Sequence, residues 1–265
     1  MIVIYHASCV DGFTAAYAAW LKYRDDAQYI PAHYGDDPPD VTGQDVLIVD
    51  FSYPRETLLR MRAAAKSLTV LDHHRSAQAE LDGLDFCHFD MDRSGASMTW
   101  QCLWGLNLPS LVKYVEDRDL WRWDLFGSRE VSAYIATVER TFLDWNMLDE
   151  ELQSPGGINR SIEKGAVALR VVEQYVAAQA TRAGKVKIGG HRVPCINTTF
   201  ATSELVGNLA ERAPFAAGWF RREDGRFVYS LRSRGDDGID VSEIAQQYGG
   251  GGHRNAAGFT SEVLL

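Results

Sequence analysis
Leu68-Thr69-Val70-Leu71-Asp72-His73-His74 is the stretch on which the fold reading turns. A run of Leu, Thr, Val and Leu suits a strand covered on both faces, as in a parallel sheet. It passes without a spacer into a carboxylate and two imidazoles. In open α/β sheets ligands bind beyond the carboxyl ends of the strands, so Asp72 is expected at a functional edge. Two other segments repeat the arrangement: Ile2-Val3-Ile4-Tyr5 runs into His6, and Val46-Leu47-Ile48-Val49 runs into Asp50. A single Asp after a strand is ordinarily a turn residue or helix cap. Three strand ends offering His6, Asp50 and Asp72-His73-His74 to one edge point instead to a metal site. Mixed carboxylate and imidazole donors suit Mn, Fe(II) or Zn better than Ca, and carboxylates can bridge two ions.

Strand and helix signals alternate on either side of these segments. The loop His6-Ala7-Ser8-Cys9-Val10-Asp11-Gly12 leads into the alanine-rich run Phe13 to Trp20, a predicted helix. Pro54 precedes a predicted helix over 55–66, which returns the chain to the strand ending at Asp72. Right-handed βαβ crossovers make a parallel sheet the default. Ser94 is a candidate cap for a helix through Trp104, and a second helix is predicted from Leu108 to about Asp117. Glu116-Asp117-Arg118-Asp119-Leu120-Trp121 follows as a dense carboxylate cluster.

Ser154-Pro155-Gly156-Gly157 breaks the middle of the chain. Beyond it Ile162, Ala166, Leu169, Val172 and Val176 fall at helical spacing, predicting one long helix to about Gly184. Strands are predicted over 193–197, 216–220 and 227–232, with helices at 203–212 and 240–248. The expected fold class is therefore α/β. A parallel-sheet domain over 1–155 is joined by a connecting helix at 156–185 to a smaller α/β domain at 186–265.

That second domain ends in Gly249-Gly250-Gly251-Gly252-His253-Arg254-Asn255-Ala256-Ala257-Gly258-Phe259. Glycines let backbone N–H groups approach an anion, and a helix starting after them would favour negative charge. Gly250, Gly251, Gly252, His253 and Arg254 are thus candidate phosphate-binding residues. Arg232 and Arg234, two apart on a predicted strand, would point one face at the same ligand.

Composition narrows the function class. With 46% hydrophobic and 24% charged residues in 265, the chain is that of a globular protein long enough for two domains. A net charge of −9 supplies no global positive field for long nucleic acid, which favours a small anionic substrate or a locally basic cleft. Cysteines at 9, 87, 102 and 195 form no close pair and read as reduced thiols, so a cytoplasmic protein is expected. The amino terminus enters a strand directly, and no run of about 18 apolar residues suggests a membrane span.

In order and spacing these segments resemble the DHH phosphoesterase superfamily over nearly the whole chain. Asp72-His73-His74 matches its naming motif, His6 to Gly12 its first, Asp50 its second and Glu116 to Trp121 its fourth. The glycine run through Gly258 resembles the substrate-binding signature of the DHH-associated domain. The resemblance implies two divalent metal ions, usually manganese, and a smaller domain that closes over a phosphate-bearing substrate; iron, cobalt or zinc are the alternatives that a sulfur ligand at Cys9 would favour. It implies His6, Asp11, Asp50, Asp72 and either His73 or His74 as metal ligands, with His74 favoured. Asp117 is favoured over Asp119 as the late ligand. Asp72 and His73 are the catalytic candidates, His73 donating to a ligand or to substrate. Members commonly carry Asp-x-Asp-Gly where this chain has Cys9-Val10-Asp11-Gly12. Cys9 there is either a softer ligand or a small buried thiol beside the site.

The expected activity is hydrolysis of phosphate esters in short oligonucleotides, dinucleotides or nucleotides by metal-activated water. The acidic charge counts against long strands, single or double. Pyrophosphatase or polyphosphatase activity, and a catalytically silent nucleotide-binding regulator, are the rival readings. A homodimer is left open. Asp72→Ala is expected to abolish hydrolysis; an unchanged turnover number in the metal-loaded variant would remove Asp72 from the site.

Overall fold
Alternate residues of the apolar strands face opposite layers, and both layers are packed. Ile2, Ile4, Val46, Ile48, Leu68 and Val70 belong to one buried cluster, whereas Val3, Leu47, Val49 and Leu71 belong to another. This double burial is why the strands read as unbroken hydrophobic runs. The computed structural model describes residues 1–7, 9–235 and 238–265 and divides into two units, Met1–Leu169 and Arg170–Leu265.

The first unit contains β1 (Ile2–His6), α1 (Val10–Tyr23), β2 (Gln28–Ala32), β3 (Asp45–Val49), α2 (Arg55–Ala64), β4 (Ser67–Asp72), α3 (Arg75–Glu80), β5 (Cys87–Phe89), α4 (Gly95–Trp104), α5 (Ser110–Asp119), α6 (Ser128–Ile135) and α7 (Phe142–Gln153). Its sheet is wholly parallel, in the order β2-β1-β3-β4-β5. The chain crosses outward from β1 to β2 and then returns to the other side of β1. The gap between β1 and β3 is therefore the topological switch point, where open α/β sheets bind ligands. His6 and Asp50 close those two strands. Phe13 and Tyr17 of α1 pack with Leu111, Val115, Trp145 and Leu148 on one face; Leu58 and Met61 of α2 and Leu81 cover the other.

Ser94 caps α4, its hydroxyl accepting from Ser97 N–H while the Ser97 side chain accepts from Ser94 N–H. The helix predicted over 108–117 runs instead from Ser110 to Asp119, with Pro109 as its cap. Asp119 is thereby the last helical residue. Helices α3, α6 and α7 had no assignment from sequence.

Helix α8 (Gly157–Ala180) begins in the first unit, and the division falls within it. The second unit continues with β6 (Gly184–Ile188), β7 (His191–Asn197), α9 (Thr202–Ala210), β8 (Phe215–Arg221), β9 (Phe227–Ser233), α10 (Val241–Gln246), β10 (Gly251–His253) and β11 (Ala256–Ser261). The sheet runs β10-β11-β9-β8-β7-β6 and is antiparallel except for β7 beside β8. Val193, Phe215, Tyr229, Leu231, Ile244 and Phe259 form its core.

The expectation that a helix follows the glycine run is corrected here. Gly251 to Ser261 is a β-hairpin with Gly252 opposite Ala257 and His253 opposite Ala256. Ala257 and Phe259 alternate inward, and Phe259 stacks between Tyr229 and Tyr248 at 4.9 and 4.4 Å. Burial with period two outweighs the helical preference of two alanines. The hairpin itself demands glycine: a Cβ at Gly252, whose φ is +137°, would stand 2.6 Å from the Ala256 carbonyl, and one at Gly250 would stand 2.1 Å from that of Gly258. Gly252→Ala is accordingly expected to destabilise the protein by about 1–3 kcal/mol, read as a lower denaturant midpoint. An unchanged midpoint would free this glycine for a purely ligand-binding role.

Candidate metal centre
The strand ends meet as the switch point requires. Asp50 follows β3 in the left-handed region, with φ of 53°, and is 1% exposed. Asp tolerates that conformation better than most residues, yet it costs about 1 kcal/mol or more. Two glycines make room for it. A Cβ at Gly95 would lie 2.4 Å from the Asp50 Cβ, and one at Gly12 would lie 2.4 Å from the His6 carbonyl and 3.1 Å from Asp50 Oδ2.

Asp11, in the first turn of α1 and 1% exposed, reaches the amino end of α4. Its Oδ2 accepts from Gly95 N–H at 2.6 Å and its Oδ1 from Ala96 N–H at 3.1 Å. A carboxylate from one helix thus satisfies the orphan donors of another. Glu116 of α5 fixes the same terminus by accepting from Arg93 Nε at 2.9 Å, Ser94 N–H at 3.2 Å and the Ser97 hydroxyl.

His73 is 2% exposed and its Nε2 faces three carboxylates: Asp50 Oδ1 at 3.1 Å, Asp119 Oδ2 at 3.5 Å and Asp11 Oδ2 at 3.7 Å. Burial opposes its protonation, but the hydrogen bond to Asp50 and the charges of Asp119, Asp50 and Asp11 push its pKa up to about 10. His74 is tied elsewhere, Nδ1 lying 2.7 Å from Asp72 Oδ1, which also accepts the backbone N–H groups of His73 and His74. Burial lowers the His74 pKa and the Asp72 carboxylate more than reverses that.

The carboxylates respond in opposite directions. Burial and the neighbouring charges of Asp50 and Asp119 push Asp11 well above the ordinary range, and burial raises Asp119. Burial also works against charge on Asp50, yet His6, His73 and His74 hold it well below that range. Such a set is short of positive charge.

Three overlapping groups of donors converge here, each with its ligand atoms within 4.8 Å of one another: His6, Cys9 and Asp50; Asp11, Asp50 and His73; and Asp50, Asp72 and His74. Asp50 belongs to all three. Its Oδ2 is 3.4 Å from His6 Nδ1, but neither atom makes a hydrogen bond, and Asp72 Oδ2 also lacks one. Buried polar atoms left unmade are costly. Oxygen and nitrogen donors with unused lone pairs, facing a crowd of carboxylates, fit a divalent cation.

Sequence-predicted residues are placed as follows. His6, Asp11, Asp50, Asp72, His73 and His74 are brought together, with Cys9 beside them. Asp117 is not in these groups among the described residues. Its carboxylate accepts from Asp124 N–H at 2.9 Å, Leu125 N–H at 3.4 Å and the Ser128 hydroxyl, tying α5 to the start of α6. Asp119, passed over in favour of Asp117, is the one that reaches His73.

In the second unit Arg232 and Arg234 hydrogen-bond to different partners. Arg232 donates to the Ser203 hydroxyl at 2.8 Å and Arg234 to the Glu211 carbonyl at 3.2 Å, near opposite ends of α9, about 12 Å apart at helical rise. The strand ends at Ser233, so the two do not alternate along it. Arg254 donates to the Gly238 carbonyl at 3.0 Å. His253 lies in β10, partly exposed.

Tyr34 escaped the sequence reading altogether. It stands in the polar loop after β2, about half exposed, with ring centroid 5.4 Å from His6, 5.9 Å from His74 and 5.0 Å from Phe51. Burial of its hydroxyl, then Asp72 and Asp50, hold the phenol protonated. No periodicity or motif marks a lone tyrosine in a loop.

Residues 197–264 match the DHHA1 domain. Among solved structures, the fold is similar to the pGpG-specific phosphodiesterase PggH of Vibrio cholerae, with TM-score 0.50 and 15% identity over 98% of this chain and 92% of that one. It is likewise similar to RecJ of Thermus thermophilus in complex with Mn2+, with TM-score 0.50 and 14% identity over 97% of this chain and 49% of RecJ. The carboxyl end of the chain thus carries a DHHA1 domain, and the fold is shared with these two structures. A curated relative, uncharacterized protein R106 of Acanthamoeba polyphaga mimivirus, is 29% identical over 285 aligned positions, which take in 97% of this chain and 66% of the relative. The α/β architecture expected from sequence agrees with the fold of these structures.

The geometry separates the two late aspartates. Asp117→Asn is expected to cost about 1–2 kcal/mol of stability, because an amide cannot accept all three bonds, while leaving manganese affinity intact. Asp119→Asn should instead weaken manganese binding by about ten- to a hundredfold with stability unchanged or improved. Calorimetric titration beside chemical denaturation separates them, and the reverse pattern would restore Asp117 as the ligand.

Proposed function
We propose that this protein is a metal-dependent phosphoesterase of the DHH type, hydrolysing short oligonucleotides, dinucleotides or nucleotides. The observation that carries the reading is Asp50: one buried carboxylate common to three convergent donor groups, with an oxygen that no hydrogen bond occupies. The residues proposed to hold divalent cations are His6, Cys9 and Asp50 on one side and Asp11, Asp50, His73 and Asp119 on the other. When bound, a cation pair supplies a hydroxide nucleophile near neutral pH and neutralises phosphoryl charge. Manganese is the first expectation, supported by the fold shared with a RecJ described in complex with Mn2+.

The chain's own groups do the rest. Asp72 orients His74 through Nδ1, and the His74 imidazole is proposed to carry a proton for the leaving ribose oxygen. This reassigns the two imidazoles: His73, enclosed by three carboxylates, takes the ligand role first given to His74. Tyr34 keeps a hydroxyl proton beside Asp72 and Asp50 and presents a half-exposed ring, suited to a phosphoryl oxygen or a base edge. The similarity of fold to a phosphodiesterase described as pGpG-specific supports a dinucleotide. The net charge of −9 argues against long polyanions. The DHHA1 unit is proposed to hold substrate, with the partly exposed His253 imidazole among its contacts.

The purified protein, loaded in turn with Mn, Mg, Co, Zn or Fe, is expected to hydrolyse linear nucleotides of two to five residues in preference to inorganic polyphosphate. Asp50→Asn should reduce turnover to background, and His74→Ala should lower kcat by about 10²–10⁴-fold. Preference for polyphosphate would move the substrate class. Nucleotide binding without turnover under every metal would make the protein a binding module.

A further inference from the structure
Cys9 occupies the cap of α1, a position where Ser, Thr, Asp and Asn are favoured because their oxygens accept the exposed N–H groups. Its side chain makes no capping hydrogen bond, and its backbone there is extended, with φ of −109° and ψ of 140°. The cap geometry thus does not explain a sulfur. What surrounds it does: Cys9 Sγ, an imidazole nitrogen of His6 and a carboxylate oxygen of Asp50 all lie within 4.8 Å of one another. Asp50 Oδ2 and His6 Nδ1 are buried without hydrogen bonds, so two of the three partners have lone pairs available.

From this we infer that Cys9, His6 and Asp50 form a mixed sulfur, nitrogen and oxygen site that selects zinc, cobalt(II) or iron(II) over manganese and magnesium. The inference rests on the proposed metal centre and specifies one half of it. Donors of a tetrahedral zinc site stand at roughly 2.0–2.3 Å from the ion, hence about 3.5 Å from one another, a contraction small rotations can supply. Sulfur becomes a ligand when the cation replaces the thiol proton, which passes to solvent. Borderline and soft cations make that exchange favourably, whereas Mg and Mn prefer oxygen. The other set, Asp11, Asp50, His73 and Asp119, has no sulfur and keeps the preference for harder ions. The two halves then differ in kind, one soft and one hard, with Asp50 shared between them.

Cobalt(II) reads the sulfur directly. The chelator-stripped full chain, titrated with cobalt(II) under reducing conditions, is expected to develop a near-ultraviolet thiolate-to-cobalt charge-transfer band. Cys9→Ser and Cys9→Asp should both lose that band while still binding cobalt, with circular dichroism unchanged. Cys102→Ser, on an exposed cysteine, should keep it. Competition titrations should show Cys9→Asp shifting the zinc-to-manganese preference toward manganese by about ten- to a hundredfold. Cobalt bound without a sulfur band in the wild-type protein would overturn the inference and leave the phosphoesterase reading standing. A band that persists in Cys9→Asp would overturn it as well. No cobalt bound at all would overturn both together.

Discussion
A single buried carboxylate at the end of the central strand sets the terms for the first unit. Asp50 follows β3, with β1 on one side of that strand and β4 on the other, so its charge is taken out of water at the point where the sheet topology reverses. The compensation is local: His73 at 3.1 Å, His6 at 3.4 Å, and two glycines whose missing side chains let α4 and α1 close on it. Burying an unpaired carboxylate is prohibitive and burying a paired one is merely expensive. The imidazoles that surround it are a consequence of that rule.

Asp11 extends the same logic from charge to architecture. Its two oxygens occupy the free N–H groups of Gly95 and Ala96, so one group both caps α4 and enters the site. Glu116 then anchors that helix start to α5, and α5 carries Asp119 to His73 at its last turn. A carboxylate that braces the scaffold cannot wander, which is the preorganisation a metal centre needs. The resulting surplus of negative charge, shown by the raised Asp11 and Asp119 and the elevated His73, is what a divalent cation relieves.

Much of this was legible in the order of residues. Strands buried on both faces leave continuous apolar runs, so β1, β3 and β4 and the polar residues that end them could be read locally, and Ser94 announced its helix by its own hydroxyl. Asp117 and Asp119 could not be told apart. They differ by two positions on one helix, about 200° of rotation, and only the docking of α5 against α4 decides which carboxylate faces His73. Tyr34 was invisible because a loop residue acquires meaning only from what it lands beside. The glycine run looked like an anion cradle, yet the close pairing of β10 with β11 accounts for Gly250 and Gly252 without a ligand.

By itself the sequence determined the period of burial, hence the α/β class, and the chemical inventory at each strand end, because both are set by local alternation and residue type. Only the tertiary structure decided which of those groups share an ion-sized space. That depends on helix docking and on the β1 to β3 switch, where residues distant in sequence come within a few ångströms. Asp50, Cys9 and His6 meet there within 4.8 Å, and burial leaves Asp50 Oδ2 and His6 Nδ1 without hydrogen-bond partners, which no local pattern of residues could announce.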